Sequence, residues 1–163
     1  MFPSDLIGNL GEWIVAVAFT LPAAGRYGRP LFRPVFLGEK YPTADLLVDI
    51  LDDDGQAIGF FFVQVRARTE SPIALGRLPV KLEHERYDRL LRLPIPAYLV
   101  GVDVTHENAY VIAAFKPRKT GISSMTTAFS LKDANVKVQL YEEVLEFWQR
   151  RPKRRARTRF NDD

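Results

Sequence analysis

Apolar residues recur at helical spacing near the start of the chain. Leu6, Leu10, Ile14 (with Trp13), Val17 and Leu21 lie three to four positions apart, which predicts an amphipathic helix. Ser4 or Asp5 supplies the N-cap, and Pro22 and Gly25 stop the helix near Thr20 or Leu21. Residues 22–30 read as a loop. Residues 31–37 read as a first strand, with Pro34 placing it at an edge or a bulge.

The period then becomes that of strands. Residues 44–51 are rich in Leu, Val and Ile, and residues 58–68 include Phe60, Phe61 and Phe62 in a row. Asp52-Asp53-Asp54-Gly55 between them is turn chemistry, so the two strands form a hairpin. Residues 69–79 hold Pro72, Gly76 and Pro79 and read as a loop. Residues 80–93 read as a helix with Tyr87, Leu90 and Leu91 on its apolar side, ended by Pro94 and Pro96. A buried-type strand over 97–104 pairs through Thr105-His106-Glu107 with another over 108–115. Residues 116–133 are mostly loop, and a last helix covers 138–149 with Leu140, Val144, Leu145 and Trp148 inward. This order predicts a single-domain α/β fold, a three-layer-like sandwich around one mixed sheet, with a right-handed crossover between the strands ending at Arg68 and beginning at Ala97.

Composition narrows the chemistry. The 163 residues hold no cysteine. That excludes a disulfide scaffold, a thiolate zinc site and a cysteine nucleophile, and it fits a reducing cytoplasm. The two histidines, His84 and His106, read as surface residues. The net charge of +3 is uneven: residues 1–149 carry 16 basic and 18 acidic residues, residues 150–163 seven basic and two acidic. The chain therefore divides into an α/β body over 1–149 and a basic C-terminal tail over 150–163, read as disordered. Its cations, Arg150, Arg151, Lys153, Arg154, Arg155, Arg157 and Arg159, are candidate nucleic-acid contacts. The most apolar run, residues 13–24, is too short to span a bilayer and is broken by Pro22. With no basic stretch at the N-terminus, a cytoplasmic protein with no membrane partner is expected.

Side chains alternate faces along a strand, so Gln64 and Arg66 share one face and Val63 and Val65 the other. Asp45 opens the preceding strand, and Asp49 lies on its face. Burying such groups costs several kcal/mol unless they are paired or bind a metal. Gly11-Glu12 in a helix, Asp45 heading Leu46-Leu47-Val48, and Gln64-Val65-Arg66, in that order, resemble the PD-(D/E)XK, or restriction-endonuclease-like, nuclease superfamily. Within it, the chain is similar to a bacterial domain family of unknown function that reads G-E, then Asp before a strand, then Q-x-K. A helix and a strand of the type Pro, apolar run, Val-Asp follow in that family, as Pro96 to Asp103 do here. The resemblance covers about residues 4–115.

The resemblance implies a restriction-endonuclease-like fold and a nuclease acting on nucleic-acid phosphodiesters, DNA favoured over RNA, in bacterial defence or DNA processing. Glu12, Asp45, Gln64 and Arg66 are its implied catalytic residues. Asp45, Gln64 (through its side-chain oxygen) and Glu12 are the implied ligands of Mg²⁺ or Mn²⁺. Arg66 stands where the family has Lys, and Gln64 where the superfamily more often has Glu. Arg stabilises phosphate charge but cannot give up its proton. Either Arg66 keeps the electrostatic part of the role, or the chain is an inactive relative that binds nucleic acid or protein. A third reading is a protein–protein module whose sheet pairs into a homodimer.

Plainer readings compete. Gln64 and Arg66 can form a structural network with Asp45 or Asp49, and Asp49 is either a substitute ligand or the partner of Arg66. The Asp52–Gly55 segment lacks the later ligands of a calcium loop and reads as a solvated turn. Phe60–Phe62 read as core packing.

Overall fold

The computed structural model describes residues 3–25, 27–69, 75–152 and 159–160. Among these residues three helices, α1 (Ser4–Thr20), α2 (His84–Leu91) and α3 (Ala134–Arg150), accompany seven strands: β1 (Phe32–Phe36), β2 (Leu46–Leu51), β3 (Ala57–Arg68), β4 (Arg77–Leu78), β5 (Ala97–Asp103), β6 (Asn108–Ala113) and β7 (Met125–Thr126). Five of them form a mixed sheet in the order β1-β2-β3-β5-β6, in which only the β3–β5 pair is parallel. All seven residues of β5 are buried, as a parallel central strand covered on both faces requires. β1 lies at an edge, where Pro34 removes no ladder hydrogen bond that the sheet needs.

The sheet is covered on both faces. Phe61, Val63 and Val65 of β3 and Tyr98, Val100 and Val102 of β5 pack with Val15 and Phe19 of α1 and Val136, Leu140 and Val144 of α3. On the other face Phe62 and Ala97 meet Leu90 of α2, and Leu99 meets Tyr87 and the small β4–β7 sheet through Leu78 and Met125. This is an α/β sandwich around a mixed sheet. Among the described residues no helix is long and apolar enough to cross a membrane.

Four local expectations change. First, residues 80–83 are extended rather than helical: Val80 and Leu82 are buried, Lys81 and Glu83 exposed, and Leu82 bridges to Ile122. That alternation has period two, and it overrides helix propensity. Second, α3 begins at Ala134, four residues earlier than expected, because the Asp133 carboxylate caps Asn135 N–H at 2.8 Å. Third, α1 has no side-chain cap; Pro3 is its N-cap and the Ser4 hydroxyl bonds Asp5 instead. Fourth, the stripe that set the period of α1 is not its core face. Gly11, Val15, Ala16 and Phe19 are buried, whereas Leu6, Leu10, Trp13, Val17 and Leu21 are exposed.

The Asp52–Gly55 turn is as expected. Asp52 Oδ1 accepts from the amides of Asp54 (3.0 Å) and Gln56 (2.8 Å), and Gly55 takes φ 75°. The other end of α1 is closed by a residue the sequence did not single out. Lys137 of α3 is buried and its Nζ donates to Leu21 O at 2.9 Å, answering one orphan carbonyl of the α1 C-terminus.

Candidate functional site

The site follows from a mismatch of strand lengths. β3 has twelve residues, but β2 covers it only as far as Val63, opposite Leu46. Asp45 is the last residue to touch it as a strand, with its N–H donating to Val63 O at 2.9 Å. Beyond that point the chain turns away, and the Asp45 carboxylate takes over the ladder: Oδ2 accepts Val65 N–H at 2.6 Å. The same oxygen accepts the Gln64 amide nitrogen. That nitrogen also approaches Val65 O at 3.4 Å. With carbonyl and carboxylate acceptors both on the nitrogen side, the amide orientation is fixed. Gln64 Oε1 and Asp45 Oδ1 make none of the described hydrogen bonds.

α1 fills the flank that β2 vacates. A Cβ on Gly11 would lie 2.5 Å from the Cβ of Ala67, so only glycine lets the helix approach β3 this closely. The next residue, Glu12, is thereby brought to the site. Gly11→Val is expected to cost about 1–3 kcal/mol by overpacking; urea unfolding checks this, and an unchanged midpoint contradicts the close approach.

Glu12, Asp45 and Gln64 line one polar cavity of about 360 Å³ with Asn9, Glu39, Tyr41 and Arg86. Gln64 is buried, Asp45 and Glu12 partly so. Burial pushes the Glu12 carboxyl above its usual range, and the negative charges of Asp45 and Glu39 push the same way. Burial also raises Asp45, against the opposing pull of Val65 N–H, Arg66 and Arg86. Crowded carboxylates of this kind are relieved by a cation. Among the described residues no three Asp, Glu, His or Cys side chains form a metal group by themselves. The Gln64 amide oxygen would be the neutral donor beside Glu12 and Asp45, and an all-oxygen set of that kind would suit a hard divalent ion.

Arg66 is beside this cavity but anchored. Its Nε donates to Lys81 O (3.2 Å) and an Nη to Val65 O (2.8 Å). Burial lowers its pKa, Asp45 raises it and Arg86 lowers it further. Arg66 forms no ion pair with Asp45 or Asp49 among the described residues. Asp49 belongs elsewhere: it pairs with Arg33 of β1 at 2.8 Å and does not line the cavity. It shares a strand face with Asp45, but four residues along β2 carry it away from the splayed end.

One residue of the cavity escaped the sequence. Arg86, in the first turn of α2, lines the cavity and makes none of the described hydrogen bonds or ion pairs. A lone surface Arg carries no sequence signal. Asp103 is fully buried and meets His106 Nδ1 at 2.8 Å, so His106 is a surface residue, as expected, with its ring tied to the hairpin.

Of the tail cations, Arg150 pairs with Glu146, and Arg151 donates to Pro94 O and lies 4.6 Å from the Phe147 ring centroid. Arg159 is exposed. Lys153, Arg154, Arg155 and Arg157 lie outside the described residues. No family model, curated protein or solved structure matches this chain.

Proposed function

We propose that the chain is a divalent-cation-dependent nuclease-like domain acting on nucleic-acid phosphodiesters. The observation that carries this reading is the convergence of Glu12, Asp45 and Gln64, from a helix, a strand start and a strand interior, on one polar cavity with Arg86, which makes no ion pair among the described residues. Asp45, Glu12 and Gln64 Oε1 are the groups that would hold Mg²⁺ or Mn²⁺. A cation held there would supply Lewis acidity toward a phosphodiester and lower the pKa of water. Arg86 engages phosphate oxygens. Arg66, with two of its five N–H groups on carbonyls, contributes positive charge and no base. The tail adds salt-sensitive backbone attraction, with DNA favoured as partner. The lack of cysteine fits action in the cytoplasm.

A specific observation favours a second reading. Asp45 Oδ2 is already taken by Val65 N–H and Gln64, and Arg66 by two carbonyls, which is how a purely structural network satisfies itself. In that reading the domain binds nucleic acid or protein without cleaving. The test is cleavage of plasmid, linear DNA and RNA with Mg²⁺, Mn²⁺ or chelator, alongside binding at two salt concentrations. Cleavage that needs the metal is the expected result. Binding that survives chelation, with no cleavage of any substrate, overturns the nuclease reading in favour of the second.

A further inference from the structure

The geometry points to a second copy of this chain as the cover for the outer face of α1, the two helices packing antiparallel about a two-fold axis. α1 is apolar on both sides. Its inner face is in the core, while Leu6 (55%), Leu10 (48%), Trp13 (61%), Val17 (55%) and Leu21 (56%) stay exposed on the other. A surface helix normally turns polar residues outward. Here the only charge between Leu6 and Leu21 is Glu12, which lines the cavity described above. Trp13 extends the patch onto β1 by packing on Phe36, with ring centroids 4.9 Å apart.

The order of the stripe selects a second copy over an unrelated partner. Set α1 against its own reverse, and Leu6 faces Leu21, Leu10 faces Val17 and Trp13 faces Ile14. Four of the five exposed positions map onto one another on reversal and Trp13 maps onto half-buried Ile14, close to the self-complementary pattern an isologous interface requires. The spacings of four, three, four and four are those of helices crossing near +20°, which stay in contact along their length. At about 200 Å² per fully exposed large side chain, these fractions give roughly 500 Å² per copy. A pair then buries up to roughly 1,000 Å², the floor for a specific interface. Trp13 sits at the centre, the position of binding hot spots. Pairing through the sheet, the third reading of the sequence, is opposed at β1 by Pro34 on the edge strand.

The test is the mass in solution, by sedimentation equilibrium or light scattering. The full chain is expected to be a dimer at about 10 µM. Leu10→Glu and Val17→Lys, both at exposed positions, are expected to be monomers with unchanged circular dichroism. Mixed in equal amounts they are expected to regain the dimer, because the introduced glutamate of one copy faces the introduced lysine of the other, while the remaining Val17 and Leu10 meet as in the parent. Trp13→Gln, which adds no charge, reads the same interface should a charged variant fold poorly. A parent chain that stays monomeric at about 100 µM overturns the proposal. So does a dimer that survives both substitutions, or a mixture that stays monomeric.

Discussion

Asp45→Asn is expected to lower metal-dependent cleavage by about 10²–10³-fold or more while leaving the fold intact, the scale on which a site loses its main electrostatic contact. Two measurements separate the effects: single-turnover cleavage and thermal unfolding. The amide of Asn keeps an oxygen for Val65 N–H and Gln64, so the ladder contact survives. What disappears is the charge, and that charge is costly to the folded chain. Burial holds the Asp45 carboxyl above its ordinary value of 3.8 despite Arg66 and Arg86. A carboxyl raised on folding contributes stability that is full below the unfolded value and is lost as pH rises through the folded one. At neutral pH the ionised Asp45 is therefore a net burden, and its uncharged isostere is neutral or slightly stabilising. Asp45→Ala differs: it strands the Val65 N–H and the Gln64 amide, at about 1–3 kcal/mol. Cleavage by Asp45→Asn within about tenfold of the parent would sink the assigned role.

The largest stability effect is expected at Phe61. It is fully buried and its ring meets Tyr98 of β5 (5.3 Å), Phe19 of α1 (5.7 Å) and Phe32 of β1 (5.8 Å). One side chain thus joins a helix, the edge strand and a central strand. Phe61→Ala is expected to cost about 3–5 kcal/mol, transfer and cavity terms together. Against a total of about 5–15 kcal/mol, that is a lowering of Tm by about 10 °C or more in a chain of this size. Phe60→Ala is a control of smaller effect, because Phe60 is only partly buried and rests on Trp148. A loss below about 1 kcal/mol at Phe61 contradicts the aromatic hub.

The strands were legible because their apolar runs were bounded by Pro, Gly and Asp turns. The faces of β3 followed from the two-residue period alone, which put Gln64 and Arg66 together. The length of α2 was not legible: Val80-Lys81-Leu82-Glu83 suits a helix by composition and a strand by alternation, and only Ile122, forty residues on, decides it. Nor was the buried side of α1, since periodicity reports a stripe and not what lies opposite it. Phe19 and Gly11 are set inward by β3 and β1. Asp45 could be placed beside Gln64 from pattern. Excluding Asp49 needed the register, and finding Arg86 needed the crossover that swings α2 over the cavity.

The splayed end of β2 also makes the Val65 amide a reporter. Its neighbours on β3 are held by another strand, whereas Val65 N–H is held by one carboxylate oxygen. Its hydrogen–deuterium exchange therefore follows the protonation and occupancy of Asp45 rather than the opening of the sheet. In an exchange experiment this single amide should respond to added cation or to acid, while Val63 beside it, locked by Leu46, keeps the slow rate of the core.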